Sequence, residues 1–471
     1  MAEARNGKTE TDHRNPVRVG MISLGCAKNL VDGETMLGHL ERAGIELTAD
    51  ATRADVVLVN TCGFIDDAKR ESIDSILEVA DAKREGQVRR LVVTGCMAQA
   101  YAEELRREIP EIDAFVGLDE LERITEAVRG ELSSHIPDQR GAMRVYDHHN
   151  PRLVSTGSYA YLKVAEGCDN PCSFCHIPAM RGQFRSRTVE DLVAEARLLE
   201  DRGVRELVLI AQDTTRYGED IGLRHGLRSL IESLVSSTTI PWIRFLYAYP
   251  ATLDEGLFEL MAAEDRFLSY LDIPLQHASR PVLKAMKRGG DARSYEAMIE
   301  RARSVVPDLT LRTTFIVGFP GEGEAEFAEL MDFIDAIRFD HLGAFTYSWQ
   351  EENPGADLGD PVPEKDKRRR HQLVMETQQQ ISLESNQRLV GSVVPALVAG
   401  PLPEMELLLE ARTQRQAPEI DGRLLINDGV ASPGSMVEVE ITEAHPYDLV
   451  GRLVRVLTAG EAKAVRLPVM G

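Results

Sequence analysis

The chain has 471 residues, 43% of them apolar and 28% charged, with a formal charge of -22. That profile excludes a disordered chain, and no apolar run is long enough to cross a bilayer as a helix. The acid excess counts against a protein whose whole task is to grip a phosphate backbone, and the length calls for several domains rather than one core.

Residues 1–16 are polar with no apolar stretch, so they read as a disordered tail rather than a signal peptide, and the cytoplasm is the expected compartment. Thiols stay reduced there, so the six cysteines point to metal binding rather than disulfides. Residues 17–130 alternate strand and helix patterns. Apolar runs begin at Val19, Asp55 and Arg90, and each is followed by a turn and a helical stretch such as that from Asp66 to Ala80. This is the rhythm of βαβ units with buried parallel strands. Cys26, Cys62 and Cys96 each follow one of these strands, at separations of 36 and 34 residues. The ends of parallel strands share one rim of the sheet, where ligands gather.

Residues 131–153 are broken and polar and read as a linker. A second α/β region, 154–386, carries six candidate strands beginning at Tyr159, Glu206, Trp242, Tyr270, Thr310 and His341. Helical stretches lie between them, one opened by a capping box at Thr188 and Asp191. Six strand–helix units predict a partial or complete barrel, with function on the loops after the strands. The segment from Pro361 to Arg388 reads as a polar helix, and its basic run from Lys365 to His371 as a solvated face or a phosphate contact. Residues 387–457 alternate apolar and polar between Gly, Pro and Asp turns, which predicts a small all-β barrel. Residues 458–471 read as a C-terminal tail.

The tightest constellation is Cys168, Cys172 and Cys175 in the run G-C-D-N-P-C-S-F-C, just after the first barrel strand. Three thiolates at C-x3-C-x2-C hold three irons of a cubane and leave the fourth open, whereas structural zinc sites ask for four protein ligands. His176 is the one neighbour able to complete a zinc set. Phe174 either shields the cluster and stacks on an adenine or simply packs. Cys26, Cys62 and Cys96 taken together predict a second three-thiolate site, with Gly25 and Gly95 beside it supplying turns whose amides face sulfur.

Gln212 and Asp213 follow the second barrel strand, and Gln276 and His277 follow the fourth. Tyr247 and Tyr249 line a channel or pack within the strand end. Arg312 lies inside a barrel strand, where an unpaired charge is costly. Its partner is therefore a carboxylate, either that of an amino-acid-like cofactor or a structural acid. Gly318 and Gly321 follow it in G-F-P-G-E, a turn that lets backbone approach a ligand.

With these residues in view, the chain resembles the radical S-adenosylmethionine (SAM) enzymes, and within them the methylthiotransferases. Cys168, Cys172 and Cys175 match the radical-SAM motif, Cys26, Cys62 and Cys96 match the ligands of an auxiliary cluster, and the tail is similar to a TRAM module. Of two related branches, one acting on isopentenyladenosine of tRNA and one on an aspartate of ribosomal protein S12, the chain looks like the second. The runs from Leu209 to Gly218 and from Phe345 to Ser348 carry that likeness. Residues 387–471, with 8 basic and 11 acidic side chains, also suit a basic protein partner better than RNA.

The resemblance implies two [4Fe–4S] clusters and SAM, with Phe174, Gln276, Arg312, Gln212 and Asp213 near the cofactor. It implies methylthiolation at the aspartate β-carbon and a monomer that meets S12 free or within the small ribosomal subunit. An electron donor of the flavodoxin or ferredoxin kind is implied, and no membrane. The readings to exclude are tRNA methylthiolation, a non-catalytic RNA-binding iron–sulfur protein and a zinc-stabilised scaffold.

Overall fold

The computed structural model describes residues 17–50, 53–136, 146–402, 405–460 and 469–470. The expected N-terminal tail, much of the expected linker and most of the expected C-terminal tail lie outside the described residues.

The first region is a parallel sheet. Its long strands are β1 (Arg18–Ser23), β2 (Val56–Thr61), β3 (Arg90–Gly95) and β4 (Ala114–Val116). They stand in that order, flanked by the short strands Glu46–Leu47 beside β1 and Ser134–His135 beside β4. Every residue of β2 is buried, as its V-V-L-V-N-T sequence requires of a strand covered on both faces. Helices α1 (Ala27–Arg42), α2 (Asp66–Arg84), α3 (Cys96–Glu108) and α4 (Ile124–Arg129) supply the crossovers. Val469–Met470 also pairs with β1, opposite Met21 and Ile22.

The second region is the expected partial barrel. Its six parallel strands are β5 (Tyr159–Lys163), β6 (Glu206–Ile210), β7 (Trp242–Phe245), β8 (Tyr270–Asp272), β9 (Thr310–Val317) and β10 (His341–Thr346). They form two three-stranded sheets joined between β7 and β8 by a parallel bridge from Ile243 to Phe267. Among its helices, α5 (Ile177–Arg181) follows the cysteine loop, and α6 (Val189–Asp201) is capped by Thr188, whose hydroxyl accepts the Asp191 N–H. The 24-residue α7 (Glu364–Gln387) covers β10. Its basic run divides: Lys365, Arg368 and Arg369 are exposed, as expected of a solvated face, whereas Lys367 and Arg370 are buried. Lys367 donates to the Tyr347 carbonyl at 2.8 Å, and Arg370 to Glu322 at 2.9 Å.

The third region is a closed five-stranded barrel of β11 (Val393–Leu402), β12 (Met405–Thr413), β13 (Leu424–Asp428), β14 (Met436–Ala444) and β15 (Leu449–Thr458). The connection from β12 to β13 stoppers the end of the large barrel where its strands begin. Tyr270 donates to Asp421 at 2.6 Å, Tyr161 donates to Glu419 at 3.0 Å, and Arg412 pairs with the buried Glu206 at 2.7 Å. One apolar cluster draws on all three regions, with Ala27 and Val31 from α1, Tyr161 and Trp242 from the large barrel, and Leu397 and Ala417 from the small one. The strand-start end is therefore closed, and the strand-end rim, where the cysteines lie, is left for function. Among the described residues no helix is long and apolar enough to cross a membrane.

Candidate active site

The three N-terminal cysteines meet at one rim. Cys26 caps α1 after β1, Cys62 follows β2, and Cys96 opens α3 after β3. Gly25, at φ +91°, keeps the space between the first two clear: a Cβ there would stand 2.9 Å from the Cys62 Cβ and 3.2 Å from its Sγ. At Gly95, φ +92°, a Cβ would lie 2.3 Å from the Thr61 carbonyl oxygen, so only glycine lets β3 turn into α3 against β2. Each thiol feels its neighbours. Burial pushes Cys96 up to about 12, with Cys26 and Cys62 adding to the rise, and burial likewise raises Cys62. Cys26 is open at the surface yet crowded by surrounding atoms. That crowding pushes its thiol up, but the charges of Lys28 and Arg181 and the N–H groups of Asn29 and Lys28 outweigh it and hold the thiol below its usual value.

The second set lies in the loop after β5. The Cys168 N–H donates to the Gly182 carbonyl at 3.1 Å, the Cys175 N–H to the Cys172 carbonyl at 3.2 Å, and Ser173 is tied to Met286 and Ala285. Donors face the sulfurs here as well: the Asn170 N–H stands 3.5 Å from the Cys168 Sγ and the Arg288 guanidinium 3.6 Å from the Cys172 Sγ. Burial raises Cys168 to about 11 and Cys175 to about 12, so these thiols ionise only with a cation in place. The His176 Nδ1 lies 2.8 Å from the Glu352 carbonyl oxygen. Among the described residues no three or more His, Cys, Asp and Glu side chains close around a single metal ion. Three thiols with N–H donors aimed at sulfur suit an iron–sulfur cubane, a wider object than one ion.

A buried polar chain joins the two sets. Arg181, at the end of α5, reaches from the barrel into the first region, where its Nε donates to the Cys96 Sγ at 3.3 Å and its Nη2 to Asp32 at 3.0 Å. Its Nη1 donates to Glu166 at 3.0 Å, and Glu166 also accepts from Gln212 at 2.9 Å and Lys163 at 2.7 Å. Sequence reasoning missed Arg181, Asp32, Lys163 and Glu166. Their signal was the density of charge in α1, whose Lys28, Asp32 and Glu34 are all buried.

The other expected residues divide. Phe174 and Gln276 line one cavity of about 760 Å³ at the strand-end rim, with Thr314 and Ile316 from β9 and Phe64 and Ile65 from the loop just after Cys62. Among the described residues the Gln276 side-chain amide has no hydrogen-bond partner, and its backbone is held at φ +71° by bonds to Thr314 and Ile316. Phe174 also stands edge-on to Phe319, so packing accounts for part of its role. Gln212 binds Glu166, and Asp213 accepts from Asn170 in the cysteine loop at 2.7 Å. Of the two partners expected for Arg312, the structure supplies the structural acid: Asp272 at 2.8 Å and Asp421 at 3.4 Å take its guanidinium. Tyr247 lies under Lys28 and Tyr249 under Arg288. Glu322 of G-F-P-G-E is more than a turn residue, because it accepts from Gly318 at 2.8 Å and pairs with Arg370 at 2.9 Å.

Comparison with known proteins follows the same division. Residues 18–117 match the uncharacterized protein family UPF0004, 162–334 the radical SAM superfamily and 390–454 the TRAM domain. The ribosomal protein uS12 methylthiotransferase RimO of Myxococcus xanthus is 47% identical, across 96% of this chain and 97% of that protein. The protein of the same name from Koribacter versatilis is 44% identical across 94% and 98%, and that of an Anaeromyxobacter species 49% across 93% and 93%. Among solved structures, the radical S-adenosylmethionine methyltransferase TsrM of Kitasatospora setae, with cobalamin and a [4Fe-4S] cluster bound, superposes with a TM-score of 0.53. The identity is 15%, over 72% of this chain and 77% of that one, a likeness of fold alone.

Proposed function

The chain belongs to the ribosomal protein uS12 methylthiotransferases, and from that premise we propose that it places a methylthio group on the β-carbon of an aspartate of uS12. SAM is the source of both radical and methyl group. Cys168, Cys172 and Cys175 hold one [4Fe–4S] cluster, and Cys26, Cys62 and Cys96 hold the other. When bound, the clusters and SAM supply the electron transfer, the radical and the sulfur that no side chain of this chain can.

The chain's own residues bind, orient and enclose. Phe174 and Gln276 border the SAM side of the cavity, and the Gln276 amide, without a partner among the described residues, is free to bond a polar group of the cofactor. Asn170 and Asp213 brace the cysteine loop, and Gln212 and Glu166 carry that bracing to Arg181. Arg181 donates to the Cys96 sulfur and so fixes one thiol set relative to the other. Such fixing matters because sulfur, radical and target carbon must meet within contact distance. The abstracted hydrogen is on an unactivated carbon, which is why no acid–base pair is needed at the cavity.

One observation carries this reading: the cavity is walled on one side by the loop after Cys62 and on the other by the loop between Cys172 and Cys175. The test is to supply anaerobically reconstituted protein with SAM, a low-potential reductant of the flavodoxin or ferredoxin kind, and either uS12 or hypomodified tRNA. We expect uS12 to gain one sulfur and one CH2, with tRNA unchanged. Modified tRNA and unmodified uS12 would overturn the assignment, and binding of RNA without SAM cleavage would overturn catalysis itself.

A further inference from the structure

The chain carries a formal charge of -22, yet residues 280–293 hold five basic side chains and one acid. This run, R-P-V-L-K-A-M-K-R-G-G-D-A-R, forms a short helix, Arg280–Ala285, and the turn into the next, Ala292–Val305. Val282, Leu283 and Met286 are fully buried and anchor it, whereas Arg280, Lys284, Lys287 and Arg293 are exposed. Among the described residues none of these four has a carboxylate within ion-pair distance. The one acid, Asp291, is engaged as the cap of the second helix, where it accepts the Ser294 N–H at 2.9 Å. Four cations left unneutralised together on an acidic protein repel one another and suit an acidic partner.

Their placement says which partner. The Ser173 N–H donates to the Met286 carbonyl at 3.1 Å, and the Ser173 hydroxyl donates to the Ala285 carbonyl at 2.8 Å. Lys284 and Lys287 therefore flank the two residues that hold the loop between Cys172 and Cys175. Arg288 turns inward from the same run, with its guanidinium 3.6 Å from the Cys172 Sγ, 2.9 Å from the Pro274 carbonyl oxygen and over the Tyr249 ring. A single residue thus separates the exposed Lys287 from a side chain that touches a cluster thiol. Phe174, next to Ser173, lines the cavity of about 760 Å³, whose lining includes no residue of 280–293. The patch reaches the barrel thiol set from outside that cavity and leaves the cavity to SAM and substrate.

We infer that Arg280, Lys284, Lys287 and Arg293 form the docking surface for the electron donor, a low-potential carrier protein with an acidic face. The inference rests on the radical reading of the barrel thiol set. The reduced carrier gives one electron to the cluster held by Cys168, Cys172 and Cys175 and leaves oxidised by one electron. No bond forms or breaks and no proton moves in that step. Encounters between carrier and acceptor are small and brief, so charge does most of the steering.

The test uses holoprotein with both clusters. An oxidised flavodoxin is the probe for binding, and the same flavodoxin, reduced, is the probe for the rate of cluster reduction, followed by the loss of cluster absorbance. We expect added salt to weaken parental binding. Lys284→Glu with Lys287→Glu should weaken binding and slow reduction by about tenfold, and Lys284→Gln with Lys287→Gln should fall between. Iron content, SAM affinity and cluster reduction by dithionite should stay parental in both. An equal charge change elsewhere, Arg368→Glu with Arg388→Glu at exposed positions of α7 and its end, should leave flavodoxin binding unchanged. Parental flavodoxin binding in the Lys284 and Lys287 variants, or equal weakening by the α7 pair, would overturn the inference. Lost affinity for a ribosomal RNA fragment, with flavodoxin binding intact, would give the patch to RNA and overturn it as well. A dithionite-reduced parent that does not cleave SAM would sink the radical reading, whereas SAM cleavage with a patch that flavodoxin ignores would sink only the docking surface.

Discussion

Arg181→Met is the most informative single change. The guanidinium is 1% exposed and is shared among Glu166, Asp32, Asn29 and the Cys96 sulfur. With Lys163 it balances two buried carboxylates, and burial of Glu166 is outweighed by Lys163 and Arg181, which hold that carboxyl well below the usual range. Removing one partner of a buried ion pair costs about 3–5 kcal/mol. Lys163 still touches both carboxylates in the variant, so the lower end, ~3 kcal/mol, is the expected loss. For domains of this size that is on the order of 6–12 °C in Tm. The folded pKa of Glu166 is depressed, so its stabilisation is present above the unfolded carboxylate value and lost as pH falls. The variant should therefore lose part of the parent's acid sensitivity.

Calorimetric melting checks the first expectation. A redox titration followed by electron paramagnetic resonance checks a second, because losing an N–H donor to a ligand sulfur should lower the potential of the auxiliary cluster. Arg181→Lys, which keeps charge but not the planar fork, should fall between. A melting point within experimental error of the parent, with an unmoved potential, would refute the bridging role.

Gly95→Ala should cost the auxiliary site its iron while sparing the barrel site, because its Cβ would meet the Thr61 oxygen; metal analysis after each cysteine set is separately disabled checks this. Asp119 is raised by burial to about 6, with Arg185 opposing and Glu166 adding to the rise. A carboxyl whose folded pKa lies above its unfolded value stabilises at low pH and loses that contribution as pH rises through the folded value. Asp119→Asn should thus raise the melting point at about pH 8 and change it little near pH 4. Arg312→Met should strand Asp272 and Asp421 and destabilise by about 3–5 kcal/mol. Limited proteolysis should then release the small barrel, with SAM binding retained.

The strand rhythm and the six cysteines were legible because period and spacing are local properties. Partners distant in sequence were not. The strand position of Arg312 demanded a carboxylate, yet Asp421 reaches it only because the β12–β13 connection folds into the barrel's closed end. In α7 the buried residues Lys367, Arg370, Val374, Gln378 and Ile381 follow helical spacing, but the stripe is written largely in polar residues, so hydropathy reads it as solvated. The same holds for α1, where buried Lys28, Asp32 and Glu34 interrupt the apolar face. Polar side chains sit in both helices because each meets a partner from another region.

Iron and sulfide counts on reconstituted protein test the central claim most directly. Two cubanes on two separate thiol sets predict about eight irons in the parent and about four in each triple variant, with Cys26, Cys62 and Cys96 or with Cys168, Cys172 and Cys175 changed to alanine. About four irons in the parent, or a triple variant that keeps the full parental count, would contradict it.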